Sequence, residues 1–235
     1  MTASFKQRLK WNEFASPDDL AEALARRLGQ ALVQALAERG SATLAVSGGR
    51  TPKLMFQALS FVPIAWEKVT IVLVDERFVP ADSARSNEKL VRDHLMRYRA
   101  GRAHLVPFFR AGASVEEAAT LAGAAVDALP LPLDVAILGM GPDGHTASFF
   151  PDAPNLEALY ENTEGRAVLP VHAESAGEPR LTLSLQVLGA ARLLVVHIEG
   201  AERRSILTQA VADGRLPIAR VLAKAATAPQ IYWAA

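Results

Sequence analysis

Residues 133–151, LDVAILGMGPDGHTASFFP, decide how this chain is read. Positions 134–138 form a short apolar run, as expected of a strand buried on both faces. The run breaks into Gly139, Gly141, Pro142 and Gly144, which places tight turns at the carboxyl end of that strand. Within those turns stand Asp143 and His145, a carboxylate and an imidazole two residues apart. Open α/β sheets bind their ligands at that edge.

The totals narrow the class of protein. The 235 residues are read as one domain, 1–235, because no linker divides them, and half are apolar, enough for a sizeable core. Lysine plus arginine equals aspartate plus glutamate, 25 each, so charge gives no case for nucleic acid as a partner. Cysteine is absent, which excludes disulfides, thiolate metal sites and a cysteine nucleophile. The opening MTASFKQRLKWNEF lacks the apolar core of a signal peptide. No apolar run approaches the ~20 residues that span a bilayer. A cytoplasmic protein without a membrane partner is therefore expected.

Strands alternate with helices along the chain. Ser16-Pro17-Asp18-Asp19 reads as a helix start, followed by Leu20, Leu24, Leu28, Leu32 and Leu36 at helical spacing and by Gly40 as the stop. Residues 42–46 read as a strand, and Thr51 and Pro52 as the cap and first position of a helix over 53–59. VTIVLV (69–74) is a second strand; Ser86-Asn87 caps a helix through 95; 104–108 is a third strand. Ser114-Val-Glu-Glu117 is a capping-box pattern, with Ala118, Leu121, Ala125 and Leu129 as its apolar stripe. Beyond 151, residues 166–171, 180–185 and 192–198 read as strands, the second half exposed. A helix over 201–212 turns Ile206, Leu207 and Ala210 inward, and a short one near 218–223 precedes an apolar tail at 231–233. The pattern argues for helices on both faces of a mainly parallel sheet.

Polar loops follow three of the strands. In SGGRTP (47–52) consecutive glycines let backbone amides converge just before a helix, a nest suited to phosphate or carboxylate, with Arg50 adding charge. The alternative is an ordinary strand-to-helix turn. In DERF (75–78) three charges follow VTIVLV directly. They either set Asp75 or Arg77 against a substrate or form an ion-paired cluster closing the sheet edge. The third loop contains G-x-G-x-x-G, but Pro142 lies inside it and Pro151 limits any helix to about two turns, so a dinucleotide fold is disfavoured. His145 is the better candidate, since neutral imidazole accepts a proton near physiological pH. His94, His104, His172 and His197 are read as surface or packing residues, and no zinc spacing occurs. Arg180 heads a strand in PRLTLSL, and Arg203 and Arg204 begin a helix, where positive charge suits a bound anion better than the helix dipole; the alternative for each is a solvated surface arginine.

SGGRTP, VDERFVP with SN shortly after, LGMGPDGHTASFFP, PRLTLSL and GAER occur in order and span most of the chain. Together they resemble the 6-phosphogluconolactonase family, within a superfamily that includes the glucosamine-6-phosphate deaminases. The resemblance implies a three-layer α/β/α sandwich with a mainly parallel, Rossmann-like sheet, no cofactor, and hydrolysis of a phosphosugar lactone in the oxidative pentose phosphate pathway; the lack of a zinc spacing gives no case for a metal. It departs from the deaminases at Phe150, where that branch has a glutamate for acid chemistry. It departs from the lactonases at Arg203, where lysine is usual.

The expected mechanism is water attack on the lactone carbonyl with His145 as base. Asp143 or Asp75 orients the imidazole, and Arg77 or glycine-loop amides meet the oxyanion. The phosphate and sugar are expected against Ser47, Gly48, Gly49 and Thr51, against Asn87, Gly141 and Gly144, and against Arg50, Arg180 or Arg203. A monomer or weak homodimer is expected. Two rivals are another phosphosugar enzyme, which Phe150 disfavours, and a phosphosugar sensor. A sensor of that kind normally carries a helix-turn-helix segment, which the region before Ser41 lacks.

Overall fold

The computed structural model describes residues 9–235. Its strands are β1 (Lys10–Phe14), β2 (Ala42–Val46), β3 (Val69–Leu73), β4 (Asp75–Arg77), β5 (His104–Val106), β6 (Val135–Leu138), β7 (Val168–Val171), β8 (Arg180–Leu183), β9 (Leu193–Glu199) and β10 (Gln230–Ala234). Its α-helices are α1 (Pro17–Arg39), α2 (Pro52–Ser60), α3 (Asn87–His94), α4 (Val115–Asp127), α5 (Leu156–Glu161), α6 (Leu185–Ala190), α7 (Ala201–Asp213) and α8 (Pro217–Lys224).

Seven strands pair in the order β1-β10-β9-β6-β2-β3-β5, every pair parallel. A separate antiparallel sheet has the order β4-β8-β7. Helices flank the large sheet: α1 crosses β1, β2, β6 and β10 and packs on α2. This is the α/β architecture expected from the alternation of elements.

The central strands are continuous apolar runs because both of their faces are covered. Every residue of β2 and β6 is buried, and Leu44, Ala45, Val46, Val135, Ala136 and Leu138 are fully so. α1 starts where Ser16 accepts from the Asp19 N–H and stops at left-handed Gly40. Leu20, Leu24, Leu28 and Leu32 lie on its buried stripe at 0% exposure, while Leu36 is only partly covered. The capping box at Ser114 and Glu117 closes in both directions.

At the amino ends of the strands the sheet is pinned by Asp134. Its carboxylate accepts from the Thr43 N–H (2.9 Å) and hydroxyl (3.2 Å) and from Arg39 (2.6 Å), and Arg192 lies 3.5 Å away. The Asp134 N–H donates back to the Thr43 hydroxyl.

Several expectations are corrected. Asp75–Arg77 is not a loop but strand β4, paired antiparallel with β8. The apolar tail lies within β10, inserted between β9 and β1, and β1 had no place in the sequence reading at all. β8 is buried throughout rather than half exposed, with α4 packed against the β7–β8 pair. The inward face of α4 is Val115, Ala118, Ala119, Ala122, Gly123 and Val126; Leu121 is 52% exposed. Small residues face inward there because α4 comes close to β7, where a Cβ on Gly123 would meet the Val168 nitrogen at 3.7 Å. On α7, Leu207, Ala210 and Val211 are buried, with Ile206 at the margin. Thr51 precedes α2 but makes no capping hydrogen bond, since its backbone is already helical.

Candidate active site

The chain moves from β2 outward to β3 and β5, then returns to place β6 on the other side of β2. The order therefore reverses between β2 and β6, and a crevice opens beyond their carboxyl ends. A cavity of about 640 Å³ lies there, within the usual range for small-molecule sites. Its walls come from the loop after β2, from β4, from the loop after β6, from β8 and from the β9–α7 junction. The Ser47 hydroxyl ties the first two strand ends together: it donates to the Ile137 carbonyl (2.7 Å) and accepts from the Gly139 N–H (3.1 Å).

The loop after β2 presents Ser47, Gly48, Gly49, Arg50 and Thr51 to the cavity. Among the described residues, the N–H groups of Gly48, Gly49, Arg50 and Thr51 have no hydrogen-bond acceptor. They lie just ahead of α2, in the loop that the sequence reads either as an anion nest or as an ordinary strand-to-helix turn. α7 also begins at the cavity, from Gly200 at a positive φ of 83°, and its Arg203 lines the wall. Arg204 points elsewhere: it holds Glu13 with two hydrogen bonds and stacks on Trp233 and Trp11.

The opposite wall follows from strand alternation. Asp75 and Arg77, two apart on β4, share a face. Arg77 pairs in register with Arg180 on β8, so two guanidinium groups stand side by side. Arg180 is only 8% exposed; burial pushes its guanidinium below the usual range, Asp75 opposes that shift, and Arg77 adds to it. Glu76 points the other way and is fully buried. Its carboxylate accepts from the N–H groups of Arg77, Asn87 and Glu88 and from the Ser86 hydroxyl, fastening β4 to the start of α3. Burial pushes this carboxyl up, against those donors. Glu76 thereby sets Asn87 in the wall, where its side-chain amide donates to the Asp75 carbonyl and rests over Gly48.

The loop after β6 carries the imidazole. It contains no helix; Thr146 and Phe149 form an isolated bridge instead, which fits the rejection of a dinucleotide loop. His145 Nδ1 lies 2.6 Å from Asp143 Oδ1, and the same oxygen accepts the His145 N–H. Burial raises the Asp143 carboxyl, but the hydrogen bond and charge of His145 outweigh it and hold the group below the usual carboxylate range. An ionised Asp143 requires the ring proton on Nδ1, which leaves the Nε2 lone pair free to accept. The ring packs on Phe150 at 4.5 Å, and the Arg180 guanidinium lies over the same phenyl ring at 5.4 Å. Gly141 has no room for a side chain, because a Cβ there would run into the imidazole and Asp143.

Most of the residues singled out in the sequence thus line one cavity. Asp143 and Gly144 do not: Asp143 stands behind His145, and Gly144 takes φ +78° against Leu216, with its carbonyl accepting from Ile218. Asp75 is not the imidazole's partner, since its carboxylate accepts from the buried Ser148 hydroxyl at 2.8 Å. The N–H groups of Gly139, Gly141 and Gly144 are spent on Ser47, His145 and Gly141, so these amides are not free for an oxyanion. The sequence singles out neither Glu76, Ser148 nor Glu199, and it reads His197 as a surface or packing residue, whereas the ring is buried in the cavity wall. The signal for Glu76 was its place inside DER; for His197 it was a polar residue within an otherwise apolar strand.

Among the described residues, the buried side-chain atoms without a hydrogen-bond partner are Arg77 Nε, Arg180 Nε, Asn87 Oδ1 and both ring nitrogens of His197. All belong to residues lining this cavity. Buried polar atoms are rarely left unpaired, and here all belong to residues around one space, as expected where a polar ligand completes them.

Residues 15–233 match the family described as glucosamine-6-phosphate isomerases/6-phosphogluconolactonase. The chain belongs to this family. A 6-phosphogluconolactonase of Mesorhizobium japonicum is 52% identical over 225 residues, covering 95% of this chain and 94% of its own. One from Rhizobium meliloti is 49% identical over 224 residues, covering 94% and 97%. The crystal structure of a 6-phosphogluconolactonase from Shewanella baltica superposes with a TM-score of 0.92 at 36% identity, covering 97% of this chain and 98% of that one. Membership agrees with the resemblance drawn from the motifs. Among the described residues, no helix is long and apolar enough to cross a membrane.

Proposed function

We propose that this protein hydrolyses 6-phospho-D-glucono-1,5-lactone to 6-phospho-D-gluconate. The observation that carries the reading is the Asp143–His145 pair at the rim of a cavity whose unpaired buried groups are all polar. Asp143 keeps the Nδ1 proton in place. Nε2 accepts a proton from water as the water oxygen bonds to the lactone carbonyl carbon. The carbonyl oxygen gains the negative charge and is met by the guanidinium groups of Arg180 and Arg77, whose Nε atoms have no other partner. The bond from that carbon to the ring oxygen then breaks, and the imidazolium returns its proton to the departing oxygen. The product acid ionises in water.

The phosphate is assigned to the free amides of Gly48 to Thr51, with Arg50 and Arg203 supplying charge. Arg180 is assigned to the reacting end, since it shares Phe150 with His145. Asn87 is assigned to the sugar, through its unpaired Oδ1. Gly141 makes room for the ring of His145, and Gly144 shapes the turn. Deamination or isomerisation is not proposed, because Phe150 stands where a second carboxyl would be needed and cannot carry a proton. The reading extends to a cytoplasmic enzyme of the oxidative pentose phosphate pathway. It acts as one domain over residues 1–235, as a monomer or weak homodimer, without a cofactor, nucleic acid or membrane.

The test is a coupled assay of 6-phosphogluconate formation against an enzyme-free control, since the lactone also hydrolyses unaided. The wild-type protein accelerates the reaction, and His145→Ala loses most of that acceleration while still binding 6-phosphogluconate. No acceleration by the wild type overturns the function; a near-wild-type rate for His145→Ala overturns the base.

A further inference from the structure

His197 lies on β9, between β10 and β6, and is 3% exposed. Neither ring nitrogen has a hydrogen-bond partner. The nearest carboxylate is Glu199, two residues on and on the same strand face, with Oε1 3.6 Å from Nε2. That gap is too long for a hydrogen bond. Both residues line the cavity, and Glu199 is partly exposed to it. Leaving a buried polar group unpaired costs about 1–3 kcal/mol, so the imidazole calls for a partner that the protein does not supply.

The chemistry of the pair defines that partner. A neutral imidazole offers one donor and one acceptor, whereas a carboxylate only accepts. A phosphate would find a donor in His197 but would be repelled by Glu199. A hydroxyl donates and accepts at once. It can give its proton to Glu199 and take the N–H of His197, spanning the gap that the two side chains leave open.

We propose that His197 and Glu199 form a subsite for one hydroxyl of the sugar, distinct from the groups that hold its phosphate. The assignment rests on the lactonase reading, and it makes the pair a specificity determinant rather than a participant in bond breaking. Sugar acids lacking the matching hydroxyl lose the bridge and leave both groups unpaired.

The test compares wild type, His197→Asn and Glu199→Gln. The second variant sits at a partly exposed position and secures the result should the buried one fold poorly. Calorimetry measures binding of 6-phosphogluconate, of its 2-, 3- and 4-deoxy analogues and of inorganic phosphate; steady-state assays give kcat and KM for the lactone. Each variant binds 6-phosphogluconate about 3- to 10-fold more weakly, as expected for one lost hydrogen bond. KM rises more than kcat falls, and phosphate binds as before. One deoxy analogue is discriminated by the wild type and no longer by the variants. Unchanged binding of 6-phosphogluconate, phosphate binding that weakens in step, or discrimination retained for every analogue overturns the subsite. A wild type that neither binds 6-phosphogluconate nor turns over the lactone overturns the lactonase reading itself.

Discussion

Gly141→Ala tests the catalytic geometry without touching a titrating group. A Cβ at this position would lie 2.6 Å from Asp143 Oδ1 and closer still to two ring atoms of His145, where ordinary contact begins at 3.4 Å. The backbone of Gly141 does not need a positive φ, so alanine carries no strain of its own. Relief comes from moving the imidazole or the carboxylate by about an ångström, and His145 is partly exposed and able to swing aside. Misplacing a catalytic group by about 1 Å costs on the order of 100-fold in rate, or about 2.7 kcal/mol of barrier. We therefore expect kcat for lactone hydrolysis, after subtraction of the spontaneous rate, to fall by roughly two orders of magnitude. The melting temperature should change little. The double variant Gly141→Ala/His145→Ala should be no slower than His145→Ala alone, since both act through one ring. A wild-type rate for Gly141→Ala, or losses that multiply in the double variant, would refute the reasoning.

Asp143→Asn keeps the shape of the His145 partner but removes its charge, and kcat should fall about 10- to 100-fold with KM nearly unchanged. Because the native Asp143 carboxyl is depressed, its bond to the imidazole is present above the ordinary carboxylate range. That bond is lost only as pH falls through the depressed value, which nitrogen NMR of the His145 ring on acidification will follow. Gly48→Ala sets a methyl 2.7 Å from Asn87 Nδ2 and nearer still to Oδ1, so Asn87 is displaced and KM should rise several-fold while the fold is kept. Glu76→Gln turns an amide donor toward N–H and O–H donors and leaves some of them unpaired, so urea denaturation should show a loss of about 2–4 kcal/mol. A loss below about half a kcal/mol would remove Glu76 as the anchor of α3.

The strands legible in the sequence are those covered on both faces, such as VAIL (135–138), where every position is apolar and buried. β10 was missed because its run of Ile231, Tyr232 and Trp233 is too short to stand out; it becomes a strand by pairing with β9 and β1. From sequence β4 reads as a loop because three successive charges oppose strand formation locally, and its partner Arg180–Leu183 is about a hundred residues away. The stripe through Leu121 sets α4 in the wrong phase, because leucine is more apolar than the alanines, while the close approach to β7 favours small residues on the inward face. At the site, Asp143 and His145 were legible because they are neighbours in sequence and the loop is short. The choice between Asp75 and Asp143 as the partner of the imidazole was not, since it depends on Ser148 reaching Asp75 across 73 residues. His197 reads from sequence as a surface or packing residue because what distinguishes it is a lack of partners, which only the surroundings reveal.

The Asp134 clasp lies at the far end of the sheet from the cavity, yet it governs it. By locking Thr43 to the start of β6, it sets how far the two strands run before Ser47 and Gly139 emerge side by side. The gap between the anion nest and the imidazole loop is therefore gauged from the opposite rim, over a span of only four or five residues. A substitution at Asp134 would be read out as a mismatch between two loops it never touches.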